Sequence, residues 1–179
     1  MKLTYLAVAA TGGLAAIATL PASAQIYASV GYTSMKVDLG PGARSTDVTI
    51  GAITGRVGVG VAPFISVEGE VSKGVKDDTF RWIGAFQTET SNFSLNNQIG
   101  AYVVGRVPIP AVGAVFARAG YVNTDFSTGG MFPADDGGGA AYGAGVELDV
   151  IPFIRGRLEY TKYDGMHAEG ISASAAMKF

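Results

Sequence analysis

Residues 142–163, YGAGVELDVIPFIRGRLEYTKY, alternate small or apolar residues with polar or charged ones on both sides of a proline. Before Pro152, one face reads Tyr142, Ala144, Val146, Leu148, Val150 and the other Gly143, Gly145, Glu147, Asp149. After it, Ile154, Gly156, Leu158 and Tyr160 share the first face, while Arg155, Arg157, Glu159 and Thr161 share the second. Side chains that change face at every residue belong to β-strands. The stretch therefore predicts a β-hairpin turning at Ile151-Pro152-Phe153. In a water-soluble protein the apolar face of such a hairpin would be buried and the charged face wet. Here the charged face carries both signs, as expected of groups that pair with one another inside a structure.

The same turn recurs. Val61-Ala62-Pro63-Phe64-Ile65 nearly repeats Val150-Ile151-Pro152-Phe153-Ile154, and Val107-Pro108-Ile109-Pro110-Ala111 stands between them, at a spacing of about 45 residues. That spacing holds two strands and one long loop. Short turns alternating with long Gly/Asp/Thr-rich loops, and strands of about ten residues with dyad hydrophobicity, are the pattern of a membrane-spanning β-barrel.

Eight strands follow, at about 26–36, 47–61, 65–72, 93–107, 113–123, 142–150, 154–163 and 168–179. Their alternation points Val30, Ile53, Val57, Val67, Val71, Ile99, Val103, Val115, Tyr121 and Ile171 outward. It points Arg56, Arg106, Arg118, Arg155, Arg157 and Lys178 inward with Glu68, Glu70, Glu147, Asp149 and Glu159. Unpaired charges are costly in a lumen of low dielectric, so the near balance predicts an interior ion-pair network. No charge falls on the outward series, where Arg or Lys near the bilayer midplane would cost about 2–4 kcal/mol. The predicted fold is all-β, an eight-stranded antiparallel transmembrane up-and-down barrel.

Residues 1–24 differ from the rest. Lys2 precedes an apolar run from Leu6 to Leu20, and Ala22-Ser23-Ala24 offers a small-x-small cleavage site, so a cleaved signal peptide is expected, leaving one barrel domain at 25–179. Losing Lys2 leaves 12 of the 13 basic residues against 15 acidic ones, with no basic stripe to suggest nucleic acid. Cysteine is absent, so an exported domain must be held by means other than disulfides. A closed barrel satisfies its backbone strand to strand and leaves no edge. The 26 glycines sit within strands rich in apolar residues, which suits a narrow barrel in which bulk must be limited.

A signal peptide, eight alternating strands, the run Gly143-Ala144-Gly145-Val146-Glu147 and a terminal strand ending in Phe179 resemble the OmpA/OmpX/opacity-type barrels of Gram-negative outer membranes. In that family a C-terminal aromatic, with apolar residues at alternate positions before it, is read by the barrel-assembly machinery. Ile171, Ala175, Met177 and Phe179 match that pattern. The resemblance covers the mature chain, places it in the outer membrane among lipid and lipopolysaccharide, and implies neither a cofactor nor enzymatic activity. Compared with the longer OmpA architecture, the chain is expected to stop at the barrel, so a tether to peptidoglycan is not implied.

An eight-stranded barrel is only wide enough to be filled by its own side chains. Function is therefore expected in the loops, at about 37–46, 73–92, 124–139 and 164–167. In the second loop Phe80, Trp82 and Phe86 lie among charges, which suits either contact with a surface ligand or an aromatic girdle at the membrane interface. Asp135 and Asp136 in the third lack any regular calcium-ligand spacing, and solvated acids are the plainer reading. The expected role is structural or surface-interacting: envelope integrity, adhesion or resistance. A narrow porin-like channel for ions or small solutes is the alternative, and a lipid A-modifying enzyme a more distant one. For an enzyme, His167 is the only histidine, and Ser172 would lie on the opposite strand face from it and about 16 Å along. One histidine and no cysteine give zinc no ligand set.

Overall fold

The computed structural model describes residues 25–37, 48–76, 78–83, 88–128 and 137–179. The expected signal peptide, most of the expected first loop and half of the third lie outside these residues. Among the described residues nine strands form: β1 (Ile26–Val37), β2 (Val48–Ala62), β3 (Ile65–Lys76), β4 (Asp78–Ile83), β5 (Thr88–Ile109), β6 (Gly113–Thr128), β7 (Gly137–Ile151), β8 (Ile154–Tyr163) and β9 (Ala168–Lys178). Chain neighbours pair antiparallel except β3 and β4, β9 returns to β1, and β3 pairs instead with β5 across residues 65–72 and 98–105. That last pairing closes an eight-stranded up-and-down barrel, because β4 pairs only with the far end of β5.

The tight turns fall where the prolines predict them, at 62–65, 109–113 and 151–154. The start of β1 and the last residue meet at the same end, where the Gly60 amide donates to the Gln25 carbonyl and the Phe179 amide to that of Ile26. One expectation is corrected. Residues 73–92 are not simply a loop: β3 runs on to Lys76, and β4 and the first part of β5 make a hairpin above the wall, with Phe80 opposite Ser91 and Trp82 opposite Glu89. The alternation Phe80, Arg81, Trp82, Ile83 carries a strand signal without lipid-facing character, so it was legible only as an aromatic cluster. The same end also carries a one-turn 3-10 segment, Asp164–Met166, before β9.

The register slips at four places, beside the tight turns at Val61 and Val150 and within the longer strands at Asn96 and Val75. At Asn96 the register slips so that Leu95 and Gln98, three residues apart, are both buried. At Val75 the slip leaves Lys73 opposite Ile53 and Lys76 opposite Gly51, both exposed. Elsewhere period two holds: Val30, Ile53, Val57, Val67, Val71, Ile99, Val103, Val115, Tyr121, Leu158 and Ile171 are exposed. Their partners in alternation, from Ser29 to Ser172, are buried.

Glycine has a defined use in this lumen. Tyr27 sits opposite Gly58, Tyr102 opposite Gly120 and Phe116 opposite Gly145, and each ring lies where the glycine lacks a side chain. An arginine covers each ring: Arg106 over Tyr27 at 4.6 Å, Arg118 over Tyr102 at 3.9 Å and Arg157 over Phe116 at 4.1 Å. Such cation–π contacts gain strength when desolvated. A methyl at Gly120 would collide with the Ala101 carbonyl oxygen and the Tyr102 ring. Gly120→Ala is expected to lower the urea-unfolding stability of the refolded barrel by about 1–3 kcal/mol through overpacking. Gly105→Ala, with open space around the new methyl, is expected to leave the midpoint unchanged.

Candidate functional site

The lumen is a stack of layers. Its centre holds three arginines and three glutamates: Arg56 from β2, Glu68 and Glu70 from β3, Arg118 from β6, and Arg157 and Glu159 from β8, all buried. Glu68 accepts from Arg157 Nη1 at 2.6 Å, from Arg118 Nη1 at 3.2 Å and from the Tyr27 hydroxyl at 3.0 Å. Glu70 takes Arg56 Nε and Arg118 Nη1, both at 2.7 Å. Glu159 meets Arg118 Nη2 at 2.6 Å and Arg157 Nη2 at 2.5 Å, and accepts from the Thr161 hydroxyl at 2.7 Å. Since β3 and β8 face each other across the eight-stranded wall, the Glu68–Arg157 pair spans the barrel's diameter. Charges of opposite sign in equal number, each with several partners, offset the desolvation that would otherwise expel them.

Towards the turns a second group is wetter. Arg106 Nε donates to Glu147 at 3.1 Å and Nη2 to the Tyr27 hydroxyl at 2.7 Å, and Nη1 reaches Ser66. Arg155 bridges Glu147 and Asp149, each at 2.7 Å. Asp149 and Lys178, both on the predicted inner face, are exposed at the rim. A cavity of about 440 Å³ opens here, lined by Tyr27, Phe64, Arg106, Glu147, Arg155 and Lys178 among others.

Towards the loops the lumen becomes uncharged. Thr33, Thr54 and Ser72 link their hydroxyls at 2.8 and 2.9 Å, and Gln98 donates to Thr124 at 3.1 Å. Beyond them Met35, Val37, Ile50, Ala52, Leu95, Ala141, Tyr163 and Ala168 pack into an apolar cluster, with Met166 of the 3-10 turn against it. Strand parity identified which side chains face inward. It did not show this apolar layer, because the bulge at Asn96 brings Leu95 into it out of step.

Of the remaining sequence-predicted residues, Ile171, Met177 and Phe179 are exposed on the outer surface, Phe179 at 75%. Phe80 and Trp82 occupy alternate positions of β4, and Phe86 lies outside the described residues. The structure does not bring His167 and Ser172 together: His167 is exposed in the turn after the 3-10 segment with φ 46°, whereas Ser172 is inside the lumen and accepts from Arg56 at 3.3 Å. Among the described residues no group of three His, Cys, Asp or Glu side chains is placed to hold a metal ion.

A closed antiparallel wall that is apolar outside and charged within defines a membrane-spanning β-barrel, since only a closed sheet satisfies its backbone in lipid. The chain belongs to the family of the outer membrane protein beta-barrel domain, whose model matches residues 6–179. It is an integral protein of the outer membrane, and the short turns of such barrels face the periplasm and the longer loops the cell exterior. Among solved structures it is similar to Ail, the attachment invasion locus protein of Yersinia pestis, in complex with the heparin analogue sucrose octasulfate. That match has 15% identity and a TM-score of 0.58, and covers 87% of this chain and 99% of Ail. Neisserial surface protein A, NspA, matches at 12% identity and a TM-score of 0.57, over 87% of this chain and 97% of its own. A search of curated proteins gave no match.

Proposed function

We propose that this protein is a filled scaffold of the outer membrane with a structural or surface-interaction role, in envelope integrity, adhesion or resistance. Its contacts are carried by the β4–β5 hairpin and the neighbouring extracellular segments. The observation that supports this reading is the filled lumen: among the described residues, a neutral six-charge network lies beneath an apolar layer. A rigid, occupied barrel is suited to presenting loops and poorly suited to conducting solutes.

Charge narrows the kind of partner. In the loops and strand ends at this side, Asp38, Asp47, Asp77, Asp78, Glu89, Asp125, Asp135, Asp136, Asp164 and Glu169 outnumber Lys36, Arg44, Lys73, Lys76, Arg81 and Lys162. Ail was solved with a sulfated sugar, but the acidic balance here favours a neutral or cationic partner over a polyanion. Phe80 and Trp82 supply the aromatic residues that dominate contact energies.

Two measurements bear on this reading. Refolded mature protein in planar bilayers is expected to stay silent across lipids and voltages, and stepwise conductance would favour the narrow channel instead. Cells carrying the chain with residues 78–92 replaced by a short Gly-Ser turn are expected to keep a heat-modifiable barrel while losing attachment to the surfaces they otherwise bind. Unchanged attachment would remove the interaction role.

A further inference from the structure

The interior charges do not quite cancel. In the central network Arg56, Arg118 and Arg157 match Glu68, Glu70 and Glu159 one for one. Towards the turns, Arg106, Arg155 and Lys178 face only Glu147 and Asp149, so a surplus of one side-chain cation falls at the periplasmic mouth. Glu147 is buried and held from two sides, by Arg106 at 3.1 Å and by Arg155 at 2.7 Å, while Asp149 is taken by Arg155. Lys178 feels the charge of both carboxylates, yet it forms no ion pair among the described residues.

The cavity of about 440 Å³ opens at the same place and is lined by all three cations. That volume lies within the roughly 300–1,000 Å³ typical of small-molecule sites. Tyr27 and Ser66, both buried, line it on the lumen side, where the Tyr27 hydroxyl donates to Glu68 and joins the cavity to the central network. Arg155 and Glu147 come from the β7–β8 wall, across the barrel from the β2–β3 turn. That turn supplies an apolar wall of Val61, Pro63 and Phe64, and the Arg106 amide holds it against β5 by donating to the Phe64 carbonyl at 2.8 Å. A cationic face is thus set against an apolar one.

We infer that this periplasm-facing cavity binds a small soluble molecule with one carboxylate and an apolar body. The carboxylate meets Lys178 and the guanidiniums of Arg155 and Arg106, and the body packs on Phe64, Pro63 and Val61. Charge selects the headgroup: one negative charge neutralises the surplus, whereas a phosphate dianion would exceed it beside Glu147 and Asp149. The turn selects the body, since a bare anion would leave the exposed Phe64 and Val61 uncovered. Position selects a soluble ligand over a lipid headgroup, because Tyr27, Ser66 and Arg106 belong to the lumen and not to the outer wall. The site lies at the opposite end from the β4–β5 hairpin and does not depend on what that hairpin contacts.

The test titrates hydrocinnamate into the mature chain refolded in zwitterionic micelles and follows the backbone amide shifts of Gly60, Val61 and Lys178 by NMR. Hydrocinnamide serves as the uncharged control and phenyl phosphate as the dianion. Saturable shifts with hydrocinnamate, and none with the amide, are expected. A unit charge at contact distance in water changes affinity about fivefold, so Lys178→Gln is expected to weaken binding by about that factor. Asp149→Asn raises the surplus by one charge and is expected to tighten binding by a similar factor. Both side chains are exposed at the rim, so heat-modifiable migration should persist, and a gain of affinity in the second variant cannot come from misfolding. Absence of saturation, equal affinity for hydrocinnamide, tighter binding of phenyl phosphate, or an affinity unmoved in either variant would each overturn the inference, whatever the hairpin-replacement experiment returns.

Discussion

Glu68→Gln should destabilise the refolded barrel by about 3–5 kcal/mol, the cost of breaking a buried ion pair from one side. Glu68 is fully buried and receives Arg157, Arg118 and the Tyr27 hydroxyl. Glutamine keeps the shape but removes the charge, leaving Arg56, Arg118 and Arg157 with two carboxylates between them, those of Glu70 and Glu159. Urea unfolding in detergent or lipid, followed by heat-modifiable migration, reads the effect. Adding Arg157→Gln should recover part of the loss, because the excess cation is then also removed, and the coupling energy from the cycle isolates the pair. A midpoint unmoved by Glu68→Gln would mean that water, not protein charge, balances the lumen.

Val103→Arg carries the second large effect, about 2–4 kcal/mol in a bilayer, because a cation would face acyl chains near the midplane. Val103 is 56% exposed, whereas its neighbour Val104 is fully buried in the lumen. On a water-facing surface the same substitution would normally stay within about 0.5 kcal/mol either way. Comparing Val103→Arg with Val103→Leu, by unfolding in lipid vesicles, therefore tests directly which side of the wall meets lipid. Equal stability of the two variants would be incompatible with a membrane-spanning wall.

Strand existence and facing were legible because period two needs no tertiary knowledge: once Val103 is outward, Tyr102 and Val104 are inward. The proline turns were equally local. Strand ends were less so. β5 extends from Thr88 to Ile109 where alternation suggested 93–107, and β7 begins at Gly137 rather than Tyr142. A run such as Gly137-Gly138-Gly139 has no hydrophobic alternation to read, and becomes strand only because β6 offers it a hydrogen-bonding partner. The β4–β5 hairpin escaped for a related reason, since its alternation serves no lipid contact.

From the amino-acid order alone come the all-β class, the number of wall strands, the exterior apolar band and the residue types that fill the interior, all consequences of local geometry and of the cost of charge in lipid. Which ionised groups meet could come only from closure. Glu68 and Arg157 are 89 positions apart and touch because β3 pairs with β5 and so turns a sheet into a cylinder. Closure also decides that the interior has a charged, partly wet periplasmic half and an apolar extracellular one, and that single-residue bulges set Leu95 inside and Lys76 outside. A one-residue bulge shifts the parity of every later residue on its strand, and no counting of alternate residues predicts where one will fall.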